Sequence, residues 1–136
     1  MIEIYSKNVE VAANAAIPLN VTAINKGDSV TVNGSTTLQF NKCGLYKVSV
    51  SASGIASEAG DITIQLYKNG VTQSSALATE TAADTTSTHN LSFDTIVQVG
   101  GNNTNCPCSS PTLVSIINDG VAATFSIVDV VVTKLT

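Results

Sequence analysis

The sequence predicts an all-β, antiparallel single domain, a sandwich, jelly roll or barrel, from its amino-acid mix, its short blocks of period-two alternation and the turn dipeptides between them. The chain has 136 residues, 43% hydrophobic and only 12% charged. That length suits a single domain and is enough to bury roughly two-thirds of the unfolded surface. The apolar residues are mostly Val, Ile, Ala and Leu, and the polar ones mostly Thr, Ser and Asn. Val, Ile and Thr branch at Cβ, which stiffens χ1 and suits a pleated surface better than a helix.

The alternation places the strands in order. The first residues, Met1 to about Ile24, read as an edge strand or an arm lying on a neighbour, with Ile2, Ile4, Tyr5, Val9 and Val11 as its docking side chains. In Leu45–Ala52, Tyr46, Val48, Val50 and Ala52 share one face while Lys47, Ser49 and Ser51 occupy the other. Ile62, Ile64 and Leu66 alternate with Asp61, Thr63 and Gln65, and Leu91–Val99 puts Leu91, Phe93, Val97 and Val99 on one side. Each pattern is that of a strand with one buried and one wet face. Asn69-Gly70, Asn33-Gly34 and Asp119-Gly120 punctuate the runs, and such pairs favour type I′ hairpins, whose two central residues need positive φ. The alanines of Ser74–Thr88 would permit a helix, but its Thr and Ser clusters oppose one.

The final run is different. Phe125–Val132 is apolar on both parities, whereas a strand wet on one side should alternate. A second apolar layer is therefore expected over its outer side, most economically another copy of the chain. Phe125, Ile127, Val128, Val130, Val131 and Val132 are the candidate interface residues, and Asp129 among them needs a partner such as a lysine or a backbone donor.

Charge excludes several functions. The formal net charge is −4, and all six basic residues are Lys. Binding to nucleic acid depends on cations that neutralise phosphates, and an anionic membrane surface makes the same demand, so neither is an expected partner. No apolar stretch approaches the roughly 18 residues of a membrane span, and no charged segment followed by an apolar run opens the chain.

Catalytic chemistry finds little support. The one histidine, His89, sits at a strand entrance with no Gly-x-Ser-x-Gly elbow to serve, and the expectation is a solvated side chain. Glu58 and Asp61 flank an apparent turn and fit solubility better than glycoside hydrolysis. Cys43, Cys106, Cys108 and His89 could be imagined as a zinc set, but Cys-Pro-Cys is not the usual knuckle spacing and the residues come from three distant segments. Calcium at Glu58, Asp61 or Asp84 is no better supported. An odd cysteine count is not a disulfide framework; Cys43 could bridge Cys106, but free buried thiols are the expectation. No cofactor, metal or enzymatic activity is expected. The sequons at Asn20, Asn33, Asn90 and Asn102 are what so Asn-, Ser- and Thr-rich a chain gives by chance.

The order of strand signals resembles a known family. Leu38-Gln39-Phe40, then Gly44-Leu45-Tyr46 leading into Val48 and Val50, then Ile64–Gly70 ending in Asn-Gly, then Leu91–Val99 closing on Gly100, then Ala123–Val132, follow the pattern of the tumour-necrosis-factor-like and complement globular-head jelly rolls. The resemblance spans roughly residues 36–132. It implies a jelly roll whose terminal strand lies on the inner sheet that forms a homotrimer. With few aromatics, no Arg, no collagen-like segment and a Cys106-Pro107-Cys108 loop foreign to the family, the chain is most similar to bacteriophage decoration or head-fibre proteins and bacterial spore-surface trimers. What this resemblance implies is a structural virion protein on the capsid exterior, assembled in the host cytoplasm, with itself and the major capsid protein as partners. The alternative it implies is a trimeric adhesin or spore-coat head that binds cell-surface glycans, for which Tyr5 and Tyr67 are the available stacking residues.

Overall fold

A computed structural model describes residues 1–100 and 112–136. Among them ten strands form two five-stranded antiparallel sheets. The strands are β1 (Ile2–Val11), β2 (Val21–Asn25), β3 (Val30–Asn33), β4 (Thr37–Phe40), β5 (Gly44–Ala56), β6 (Gly60–Lys68), β7 (Val71–Ala82), β8 (His89–Val99), β9 (Thr112–Asn118) and β10 (Ala123–Lys134). The first sheet runs β2-β1-β10-β5-β8 and the second β3-β4-β9-β6-β7. No helix among the described residues is long and apolar enough to cross a membrane.

The alternating runs fill the space between the sheets. Tyr46, Val48, Val50 and Ala52 from β5 meet Ile62, Ile64 and Leu66 from β6 and Val114 and Ile116 from β9, all buried. Phe40 and Tyr46 pack edge to face with centroids 4.7 Å apart, an arrangement their ring quadrupoles favour. Tyr46 is fully buried, and its hydroxyl donates to the Lys42 carbonyl at 2.6 Å, so its polar end is not left unpaired. Two buried polar side chains anchor the segment that carries the chain from β1 to β2. Asn118 donates through Nδ2 to the carbonyls of Val11, Ala12 and Val121, and its Oδ1 accepts from the Gly120 amide. Ser6 donates to the Pro18 carbonyl and accepts from the Asn20 amide.

The turns divide into two kinds. At Asn69-Gly70 both residues have positive φ, 52° and 80°, as the hairpin between β6 and β7 requires. The same expectation fails elsewhere: at Asn33-Gly34 only the glycine has positive φ, and at Asp119-Gly120 neither residue does. Gly120 answers a steric demand instead, since a Cβ there would lie 2.1 Å from the Asp61 carbonyl oxygen. The missing side chain lets the β9–β10 turn lie against β6, where Val121 donates its amide to Asp61 and Asp119 its amide to Thr63.

Three further expectations require correction. The N-terminal segment is not an arm, because β1 lies inside the first sheet, paired with β2 on one side and β10 on the other. Ile2, Ile4 and Val11 are core residues, and Tyr5 and Val9 are half-buried. Ser74–Thr88, where the Thr and Ser clusters opposed a helix, is mostly strand, within β7. Cys43 is buried and half of a disulfide, not a free thiol. Cys106 and Cys108, with the sequon at Asn102 and the prolines from 107 to 111, lie outside the described residues. Finally, His89 is the first residue of β8, paired with Gly54, and its Nε2 is buried with no hydrogen-bond partner, where a solvated side chain was expected.

Candidate functional site

The outward face of the first sheet is the candidate site, and β10 shows how it is built. Alternation along β10 sends Val128, Val130 and Val132 into the core and leaves Asp129 and Val131 outside. A bulge at Ser126 then shifts the parity, so that Phe125 also points inward and Ile127 outward. On β1, Asn8 adopts φ 55° opposite this bulge, and the two strands change parity together. Phe125 crosses β5 at Gly54, where a Cβ would come within 2.8 Å of the ring.

The six-residue interface read from the sequence is thereby narrowed. Phe125, Val128, Val130 and Val132 are fully buried within the protomer and beyond the reach of any partner; Ile127 and Val131 remain available. Double parity came from the core claiming one side of the strand while the outer side stayed partly apolar.

Register assembles the outward face in rows. One row crosses Val21, Tyr5, Asp129, Ser51 and Ser92. The next crosses Ile24, Glu3, Val131, Ser49 and Asp94. On the other side of the first row come Lys7, Ile127, Ser53 and Asn90. Further along lie Thr133, Lys47 and Ile96, then Leu45 with Leu135 bonded to its carbonyl. The serines of β5 and β8 are short, so the centre of the face is a trough of about 420 Å³ lined by Ser51, Ser53, Asn90, Ser92, Ile127 and Asp129. Ile127 is the one large apolar side chain that lines it; elsewhere on the same face Val21, Ile24, Leu45, Ile96 and Leu135 are, like Ile127, more than a third exposed.

Asp129 does not find the lysine or backbone donor expected for it. Its carboxyl lies beside that of Glu3, and burial, the Glu3 charge and the bond between the two acids all push its pKa above the usual carboxylate value. The one ion pair among the described residues, Lys42 with Asp28, is elsewhere and exposed.

The remaining candidates are scattered. Tyr5 faces outward from the first sheet, whereas Tyr67 lies on the second sheet and donates to both Asp119 carboxylate oxygens at 2.9 and 3.0 Å. That bond holds the Tyr67 hydroxyl above its ordinary pKa. Opposite faces carry the two tyrosines, so one protomer offers no joint stacking platform for a sugar. Asp84 accepts from the amides of Thr86 and Ser87 and from the Ser87 hydroxyl, and these bonds lower its pKa. Asp61 accepts from Thr81. No group of three or more His, Cys, Asp or Glu among the described residues is arranged to hold a metal.

Sequence reasoning missed Glu3, Leu45, Ile96 and the serines as parts of one surface. A signal was present in β5, whose outward positions are Ser49, Ser51 and Ser53. Three successive outward positions with small side chains in the middle of an inner strand permit close approach by another surface.

Solved structures share this architecture from end to end. Eiger, a tumour necrosis factor from S. frugiperda, superposes with a TM-score of 0.66 at 13% identity, covering 99% of this chain and 92% of its own. Murine APRIL gives 0.62 at 8% identity with 98% of each chain covered. The fold is a tumour-necrosis-factor-like jelly roll. The PRD1 vertex protein P5 is similar to this jelly roll too, with a TM-score of 0.60 at 15% identity over 99% of this chain and 96% of that one. No protein-family model and no curated protein matches the sequence.

Proposed function

We propose that this jelly roll is a structural protein of a bacteriophage virion surface, a homotrimeric capsid decoration or head-fibre protein. The observation that carries the proposal is the outward face of the first sheet, which holds a serine trough edged by Ile127 and, elsewhere on the same sheet face, exposed Val21, Ile24, Leu45 and Ile96. Large contiguous apolar surfaces are uncommon on monomers and mark association sites. The family resemblance assigns trimer formation to the sheet that carries the terminal strand, and β10 is the central strand of this one. The likeness to a phage vertex protein over nearly the whole of both chains supports a virion setting.

Three copies would bury Ile127, Val131 and the trough near a common axis, and three equivalent outer surfaces would then bind a shell with avidity. In the N-terminal region the edge strand β2 offers an open surface to a capsid protein, because all five of its residues are exposed. Light scattering at micromolar concentration is expected to give three times the 13.9 kDa of the chain. A single-chain mass would contradict the trimer, and failure to co-sediment with capsids that lack a decoration protein would contradict the virion role.

A further inference from the structure

Glu3 and Asp129 stand on adjacent strands of the proposed association face, at diagonal positions: Glu3 pairs with Val131, and Asp129 pairs with Tyr5. Diagonal neighbours across strands are within reach of long side chains. Neither carboxyl has an ion-pair partner among the described residues. The charged groups facing the pair can be named strand by strand. On β1, Lys7 stands opposite Ile127, on the other diagonal from Asp129. On β5, Lys47 stands two rows away, opposite Thr133. On β8, Asp94 stands opposite Ser49, in the row of Glu3, and adds a further negative charge. No residue of β2 carries a charge, but Lys26 directly follows it, and the Met1 ammonium, two residues from Glu3, donates to the Lys26 carbonyl. Asp129 also lines the trough.

We propose that the Glu3–Asp129 pair is a proton-operated gate on self-association, sharing a proton when a second copy covers the face, so that mild acid favours the assembled form. The inference rests on the trimer reading above and adds its regulation. While the face is open, water screens the two carboxylates. Covering it removes that water, and two adjacent carboxylates in a low-dielectric contact cannot both stay ionised. Protonation of one removes the repulsion and keeps the bond between the acids. Because the assembled state then binds more protons than the free protomer, association strengthens as pH falls. The upward shift of the Asp129 pKa in the open protomer already runs in this direction.

Sedimentation equilibrium between pH 5 and pH 8 tests the gate, on the wild type and on Asp129→Asn and Glu3→Gln. Both substitutions keep shape and remove one charge from a partly exposed pair, so two independent folded variants report on it. Wild-type association is expected to be at least about tenfold tighter at pH 5 than at pH 8, the factor that one proton taken up across one pH unit supplies. Each variant is expected to associate as tightly at pH 8 as at pH 5. A wild-type trimer with no pH dependence overturns the gate alone, as do variants that keep the wild-type slope. Association tighter at pH 8 also overturns it, because a lysine of the neighbouring copy then neutralises the pair. A chain that stays monomeric at every pH removes the self-association reading and the gate with it.

Discussion

On the outward face of the second sheet, polar side chains are tied to one another; on that of the first, they are largely left free. Asn33 donates to Gln39, Gln39 to Asn41 and Asn41 to Thr31, while Thr63 bonds Thr79 and Thr81 bonds Asp61. Such ladders satisfy a surface that is meant to stay wet. The first sheet has side-chain bonds at one end of its trough, from Ser53 to Asn90 and from Ser126 to the Ser53 carbonyl. It offers short serines beside Ile127, an acid pair without a cation, and, elsewhere on the same face, exposed Ile24, Leu45 and Ile96. The two faces share a fold and a composition, yet only the first resembles an unfinished contact. Polar content alone therefore does not separate a solvated face from the proposed association face; the two differ in the state of their hydrogen bonds.

The largest expected effect tests the parity that defines the first face. Val130→Asp would bury an unpaired charge and is expected to cost about 4 kcal/mol or more, enough to unfold most of the chain. Val131→Asp, one residue along and outward, is expected to cost the protomer about 1 kcal/mol and to abolish assembly. Urea melts combined with light scattering read both. Filling the trough comes next: Ser51→Arg should leave the far-UV spectrum and melting temperature of the protomer unchanged and weaken association by at least about a hundredfold, measured by sedimentation. On the second face, Thr63→Val removes one member of the ladder, with an expected loss of about 1 kcal/mol in thermal unfolding and none in association.

The smallest effect concerns Asp129 in the dilute protomer. A carboxyl whose folded pKa is raised destabilises the fold above that pKa, and the destabilisation disappears as pH falls through it. Asp129→Asn should thus melt slightly higher than wild type at pH 7, and the difference should vanish near pH 3, below both the folded and unfolded values. Solvent around a partly exposed pair keeps this effect small.

Much of the fold was legible because the physical signal is local. The alternation of β5, β6 and β8 names the buried side of each strand, and Asn69-Gly70 names its turn, without knowledge of distant residues. The short strands β2, β3 and β4 give too few residues for a period to show. Placing β1 between two strands depends on pairing with the opposite end of the chain, so its position at the terminus suggested an arm. The same long-range pairing hides the neighbour of Asp129, since nothing local to Val128-Asp129-Val130 points to Glu3. The proposed association face was visible in part. Apolar residues on both parities of β10 announced a second layer, but the bulge at Ser126 decides which of them face outward.

The claim that one face assembles while the other stays wet is tested most directly by a matched pair of double variants in sedimentation equilibrium. Ile127→Lys with Val131→Lys charges the first face, and Leu77→Lys with Leu113→Lys charges the second at comparably exposed apolar positions. The account predicts a monomer from the first pair and an undiminished trimer from the second. A trimer that survives the first pair, or dissociates with the second, would contradict it.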